Sequence, residues 1–212
     1  TIETVEDMYC AVAATEGDTR TVVRVPWNDP VYLKRVLDVG VAGVMVPMID
    51  TVQEAEALVD AVRYPPEGSR GIASGRPSGY GSEFQSYVAG ADDTFVTIAQ
   101  IETREGLSNA SDIADIDRID ALFAGPADLS GALGVFGEWD APAFIDAMDR
   151  VIEAAHSAGI PVGTLTLRPE DAPARVEQGF DYQIIGKDTS YLVDRHDEAL
   201  DLYREATEQV TD

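Results

Sequence analysis

At 212 residues the chain is long enough for one well-buried domain, and a 45% hydrophobic composition sets it apart from disordered sequences. Thirty-nine Asp and Glu against 15 Lys and Arg give a formal net charge of −24. That balance argues against nucleic acid as a partner, which needs clustered Lys and Arg, and no stretch approaches the ~20 apolar residues of a membrane span.

The chain opens with a helical segment at residues 2–15 that has no strand before it. Strand and helix patterns then alternate. "TVVRV" (21–25) reads as a strand. "DPVYLKRVLDVG" (29–40) reads as a helix with Pro30 in its first turn and Gly40 past its end. "GVMVP" (43–47) is the second strand, and "DTVQEAEALVDAVRY" (50–64) is a helix with an Asp/Thr cap and apolar residues three and four apart. A connection over 65–92, rich in Gly, Ser and Pro, is expected to be a functional loop or lid, because the same pattern resumes on both sides. Strands follow at "FVTIAQIE" (95–102), "ALFAG" (121–125), "PVGTL" (161–165) and "YQIIG" (182–186), with long helices over 140–159 and 188–210.

Alternation with continuously apolar strands predicts a parallel sheet covered by helices in one α/β domain over 1–212. Six strands suit a doubly wound sheet, but no G-x-G-x-x-G follows the first of them. A (β/α)8 TIM barrel needs eight, yet it explains why Arg24, Gln100, Glu102 and Asp128 all fall at or just beyond strand carboxyl ends, where barrel enzymes build their sites.

Glu102 and Asp128 end neighbouring strands and can converge on a hard divalent cation, magnesium or manganese, that keeps several waters. The competing reading is that each carboxylate caps the helix after it. Gln100 shares a face with Glu102 and can orient a water or a substrate oxygen, or else be a satisfied core amide. Arg24 breaks a valine run; a buried arginine needs an anionic partner, either a side chain or a substrate oxygen. In "GPADLSGALG" the main-chain N–H groups of Ala127 and Asp128 can hold a carboxylate at a helix start. Asp38 reads as a helix-terminal acid, and His156 and His196 as structural. Lys187, at the end of "YQIIGK", is the residue a Schiff-base lyase would use.

Only two lysines stand against thirteen arginines, and the acids are spread over the whole chain. Such a surface suits high salt, which screens charge to within ~3 Å at 1 M, so a salt-adapted protein is expected. The single Cys10 and the acidic start without a basic leader point to a reducing, cytoplasmic setting.

"VVRVPWNDP", "LDVGVAGVMVPM", "RYPPEGSRGIA", "QIETREGL" and "FAGPADLSGALG", in that order along nearly the whole chain, resemble the HpcH/HpaI aldolases, the metal-dependent class II pyruvate aldolases. The resemblance implies a (β/α)8 barrel, a trimer or hexamer, and cleavage of 2-keto-4-hydroxy acids to pyruvate and an aldehyde with Mg2+, Mn2+ or Co2+. By the same resemblance Glu102 and Asp128 are metal ligands with Gln100 beside them, and Arg24 stabilises the enolate. Ala127 and Asp128 hold the pyruvate carboxylate, Leu165 lines the aldehyde side, and Asp38 assists a histidine base. That histidine lies in an aspartate-x-glutamate-histidine-x-proline motif at the end of the family's second strand, and the motif does not occur in this sequence. The first two strands are accordingly expected to lie outside it. Other readings are an acyl-CoA lyase of the citramalyl- or malyl-CoA type and a non-catalytic oligomer that binds metal and a keto acid.

Overall fold

The computed structural model describes residues 1–166 and 168–211, without the side chains of 92 and 208–211. Its strands are β1 (Val22–Arg24), β2 (Gly43–Val46), β3 (Val96–Ile101), β4 (Ala121–Ala124), β5 (Val162–Thr166) and β6 (Tyr182–Ile185). Five fall within the run expected for them, and β5 extends one residue past its run, to Thr166. All pair in parallel, in the sequential order β1-β2-β3-β4-β5-β6. A doubly wound sheet reverses direction partway, whereas sequential order is what results when every unit adds to the same edge. The described residues thus form six staves in barrel order.

The helices are α1 (Ile2–Ala13), α2 (Pro30–Leu37), α3 (Val52–Val62), α4 (Phe84–Gly90), α5 (Arg104–Ala114), α6 (Pro126–Leu133), α7 (Pro142–Ala158), α8 (Ala172–Gln178) and α9 (Asp188–Thr211). Local chemistry sets their ends. Asp29 caps α2 just ahead of Pro30, Thr51 and Glu54 form a reciprocal capping box on α3, and Gly159 closes α7 in the left-handed region.

Strand residues alternate between two cores. Val44, Val46, Ala99, Ile101, Leu122 and Val162 face the helices and join Leu33, Leu58, Ile113, Phe144 and Met148 in one cluster. Met45, Ile98, Ala121 and Phe123 face the other way and pack with Leu165 and Tyr182. Gly163 is required on that inner face, since a Cβ there would collide with the Tyr182 ring, which lies across β5 to donate from its hydroxyl to the Leu122 carbonyl at 2.9 Å. Helices on one face and a second apolar layer on the other put the strand carboxyl ends at a rim shared by both cores.

The connection 65–92 is corrected by the structure. It holds a 3-10 turn at Arg76–Gly81 and α4, and it joins the end of α3 to the start of β3. In a parallel βα fold a helix returns the chain to the amino edge, so this segment lies opposite the strand carboxyl ends. It borders a cavity of about 520 Å3 with Tyr9, Arg20, Thr21 and Ala42, and is no lid over the rim.

Candidate active site

Glu102 follows the last residue of β3 and is 1% exposed. It does not cap the next helix: Thr103 does, its hydroxyl accepting from the Gly106 N–H at 2.9 Å. The carboxylate is held at both oxygens. The Met48 main-chain N–H donates to Oε1 at 3.1 Å, and Gln100 Nε2 donates to Oε2 at 2.5 Å. Burial, joined by the negative charge of Asp128, pushes the Glu102 carboxyl above the usual range; the Met48 N–H, Arg24 and the Gln100 amide oppose that rise only in part.

Arg24 ends β1 and reaches this cluster across β2. Its Nε donates to Gln100 Oε1 at 3.0 Å, and its Nη2 stands 3.9 Å from Glu102 Oε1. The sequence suggested a buried arginine, but the side chain is 50% exposed. β1 is the outermost strand of the described sheet, so its inner face is covered from one side only. An Arg24–Gln100–Glu102 chain of contacts therefore runs from solvent to a buried carboxylate.

Two residues of the cluster were not singled out from the sequence. Met48, after β2, is a non-glycine residue at φ 54°. Gly125, after β4, has no room for a side chain: a Cβ would stand 2.6 Å from Glu102 Oε2 and 2.8 Å from Gln100 Nε2. "FAGPAD" carries a glycine signal at this strand end; nothing in "VPMID" marks Met48.

Gly125 opens α6, and Asp128 lies in that helix's first turn, exposed and close enough to Glu102 to affect its proton affinity. Gly125 supplies no capping side chain, and the helix's first main-chain bond is Leu129 N–H to the Gly125 carbonyl at 3.0 Å. The N–H groups of Ala127 and Asp128 precede that bond and are free of the helix ladder, pointing out of the positive end of the helix. Leu165, near the carboxyl end of β5, packs on the inner-face cluster with Phe123.

The structure separates Asp38 from these residues. It is the C-cap of α2, at the amino edge, where Lys34 and Arg70 bind its two oxygens at 2.5 and 2.9 Å. A helix that starts at the carboxyl edge ends at the opposite one, so no role at this rim follows for it within the chain. Lys187 lies two residues beyond β6, three strands from β3, and is exposed. A catalytic amine works from a desolvated pocket, so the Schiff-base reading loses its support. His156, in the last turn of α7, pairs with Asp181 at 3.0 Å, and His196 is exposed on α9; neither is at the rim. The amino-edge cavity gathers no carboxylate, so the chemistry stays with Glu102.

Among the described residues no group of three or more His, Cys, Asp and Glu could hold a metal ion. The rim instead offers a buried carboxylate, a second carboxylate near it, and half-exposed Arg24 as the neighbouring cation. Two acids whose charges raise each other's cost are relieved by a divalent ion. An oxygen donor set of two suits an ion that keeps several ligands from water or substrate, so these residues fit a hard divalent cation. No helix among the described residues is long and apolar enough to cross a membrane.

Known proteins resemble this chain along most of its length. The chain is 38% identical over 180 residues, 84% of its length and 70% of the relative's, to a 2-dehydro-3,6-dideoxy-6-sulfogluconate aldolase of Pseudomonas putida. It is 40% identical over 176 residues, 82% of its length and 66% of the relative's, to a 4-hydroxy-2-oxo-heptane-1,7-dioate aldolase of Salmonella arizonae. It thus spans about two thirds of the length of these curated relatives. A crystal structure of an HpcH/HpaI aldolase/citrate lyase family protein from Burkholderia cenocepacia superimposes with a TM-score of 0.92 at 32% identity, covering 96% of this chain and 81% of that one. Residues 3–194 match a single family model, and on that match the chain belongs to the HpcH/HpaI aldolase/citrate lyase family.

Proposed function

We propose that the protein is a carbon–carbon lyase that cleaves a 2-keto-4-hydroxy acid to pyruvate and an aldehyde with the help of a divalent cation. One observation carries this reading: Glu102, 1% exposed, has Asp128 near it and is tied through Gln100 to the guanidinium of Arg24, all at one rim. Breaking the C3–C4 bond leaves its electron pair on the pyruvyl fragment as an enolate, while the C4 hydroxyl loses its proton and becomes the aldehyde carbonyl; uptake of one proton at C3 of the enolate then gives pyruvate. Arg24 stands where it can donate to the enolate oxygen as charge develops there. A divalent ion bound by Glu102 and Asp128 would supply Lewis-acid polarisation of the same keto group. The free N–H groups of Ala127 and Asp128, at the start of α6, suit the carboxylate of the keto acid. Leu165 and Phe123 offer apolar surface for the aldehyde portion.

The six sequential strands fit the eight-stranded barrel of the family, with Cys10 as the single cysteine of a cytoplasmic protein. A homo-oligomer belongs to the same proposal, since Leu192, Leu202 and Tyr203 of α9 are 73%, 59% and 68% exposed. A retro-aldol assay with 4-hydroxy-2-oxo acids tests the reaction. Pyruvate should form with Mg2+, Mn2+ or Co2+ and stop in EDTA, and cleavage that persists after chelation and is trapped by borohydride would sink the reading in favour of an imine.

A further inference from the structure

Three non-glycine residues among those described have positive φ: Met48, Tyr80 and Arg118. Tyr80 lies in the connection from α3 to β3, and Arg118 in the one from α5 to β4, both at the amino edge. Met48 alone of the three is at the carboxyl edge, with its N–H on Glu102. A side chain in this region is strained where glycine is not, so the conformation persists only if its surroundings over-determine it.

The surroundings do so on both sides. β2 fixes the chain up to Val46. Beyond Met48, the Ile49 N–H donates to the Gln100 carbonyl at 3.4 Å, and the Asp50 side chain accepts from the Thr103 hydroxyl at 2.5 Å. Asn109 Nδ2 donates to the Asp50 carbonyl at 2.7 Å, and Thr51 caps α3. Between two anchored segments, a left-handed residue turns one main-chain N–H towards the buried carboxylate. That bond occupies one lone-pair direction of Oε1, as Gln100 occupies one of Oε2. The carboxylate cannot rotate without losing both, and its remaining lone pairs keep one orientation.

We infer that Met48 is a positioning residue of the cation site: its left-handed backbone aims the N–H that fixes how Glu102 presents its oxygens. This rests on the reading of Glu102 and Asp128 as cation ligands. The alternative is that half-buried Met48 only packs its side chain there.

The two accounts order substitutions oppositely, and free Mn2+ measured by electron paramagnetic resonance in titrations of the full-length chain reads the order. Met48→Gly and Met48→Asn, which accept positive φ, should bind Mn2+ within about threefold of wild type, and Met48→Val should bind about tenfold more weakly. Packing alone gives the reverse order, and that order, or equal affinities throughout, overturns the inference. Should Met48→Val fail to fold, replacing the amide of residue 48 with an ester deletes the N–H while keeping side chain and backbone. About tenfold weaker Mn2+ binding is then expected, and unchanged binding is fatal to the inference. Absence of Mn2+ binding by the wild-type chain would instead defeat the functional reading on which this one rests.

Discussion

Arg24 at the end of β1 and Gln100 on β3 are joined by a 3.0 Å hydrogen bond that spans the intervening strand β2. Nε is the donor, which leaves the outer guanidinium nitrogens for Glu102 and, on the proposed function, for a substrate oxygen. A lysine keeps the charge but has no fork to serve amide and substrate together. Arg24→Lys should lower kcat by about 10²-fold and Arg24→Ala by more, while the melting temperature of either stays near wild type because the side chain is half exposed. Steady-state kinetics beside thermal melts checks this, and a kcat within a few fold for Arg24→Lys counts against the assigned role.

Glu102→Gln preserves shape and removes the charge. On the proposed reading it also loses a cation ligand, which should cut kcat/KM by about 10³-fold. Stability in EDTA should move the other way. Burial, with the charge of Asp128, raises the folded-state carboxyl above its unfolded value. Between the unfolded and the raised folded value the native chain binds more proton than the unfolded chain, so stability falls as pH rises through that interval. At neutral pH the metal-stripped Glu102→Gln chain should melt above wild type, and the gap should close on acidification. Melting curves in EDTA across that range decide it; a neutral-pH loss of stability contradicts the burial account.

Gly125 is placed so that a methyl group would strike both Glu102 and Gln100, at 2.6 and 2.8 Å. Gly125→Ala should fold, since the helix it precedes starts on Pro126, but should shift the carboxylate and reduce kcat/KM by about 10²-fold. Retention of wild-type kinetics would show that the close approach is unimportant.

A net charge of −24 on an α/β body should make stability depend on salt. Going from about 0.1 M to about 1 M KCl shortens the screening length from about 10 to about 3 Å, and the melting temperature should rise by about 5 °C or more. A flat curve by differential scanning calorimetry removes the case for salt adaptation.

Much of this molecule is legible from local sequence. Each strand coincides with its apolar run to within a residue, and the positions of Gln100, Glu102 and Asp128 follow from where those runs stop. α5 and α6 were not separated from their connections. α5 carries buried Leu107, Ala110 and Ile113, but Gly106 and the polar residues between them obscure the period. The connection 65–92 misled because Gly and Pro mark a loop without saying at which edge of the sheet it lies. Asp38 is legible as a helix-terminal acid with Lys34 one turn before it, and it is the C-cap of α2, whereas its salt bridge to Arg70 depends on a residue 32 positions away.

The sequence by itself determined periodicity, strand ends, caps and charge, because each depends on residues a few positions apart. Only the tertiary structure decided that Arg24 meets Gln100, that Met48 turns its N–H onto Glu102, and that Gly125 leaves space for both carboxylate and amide. Those relationships join strands separated by up to 76 residues of chain, and packing in three dimensions sets such distances where local preference does not.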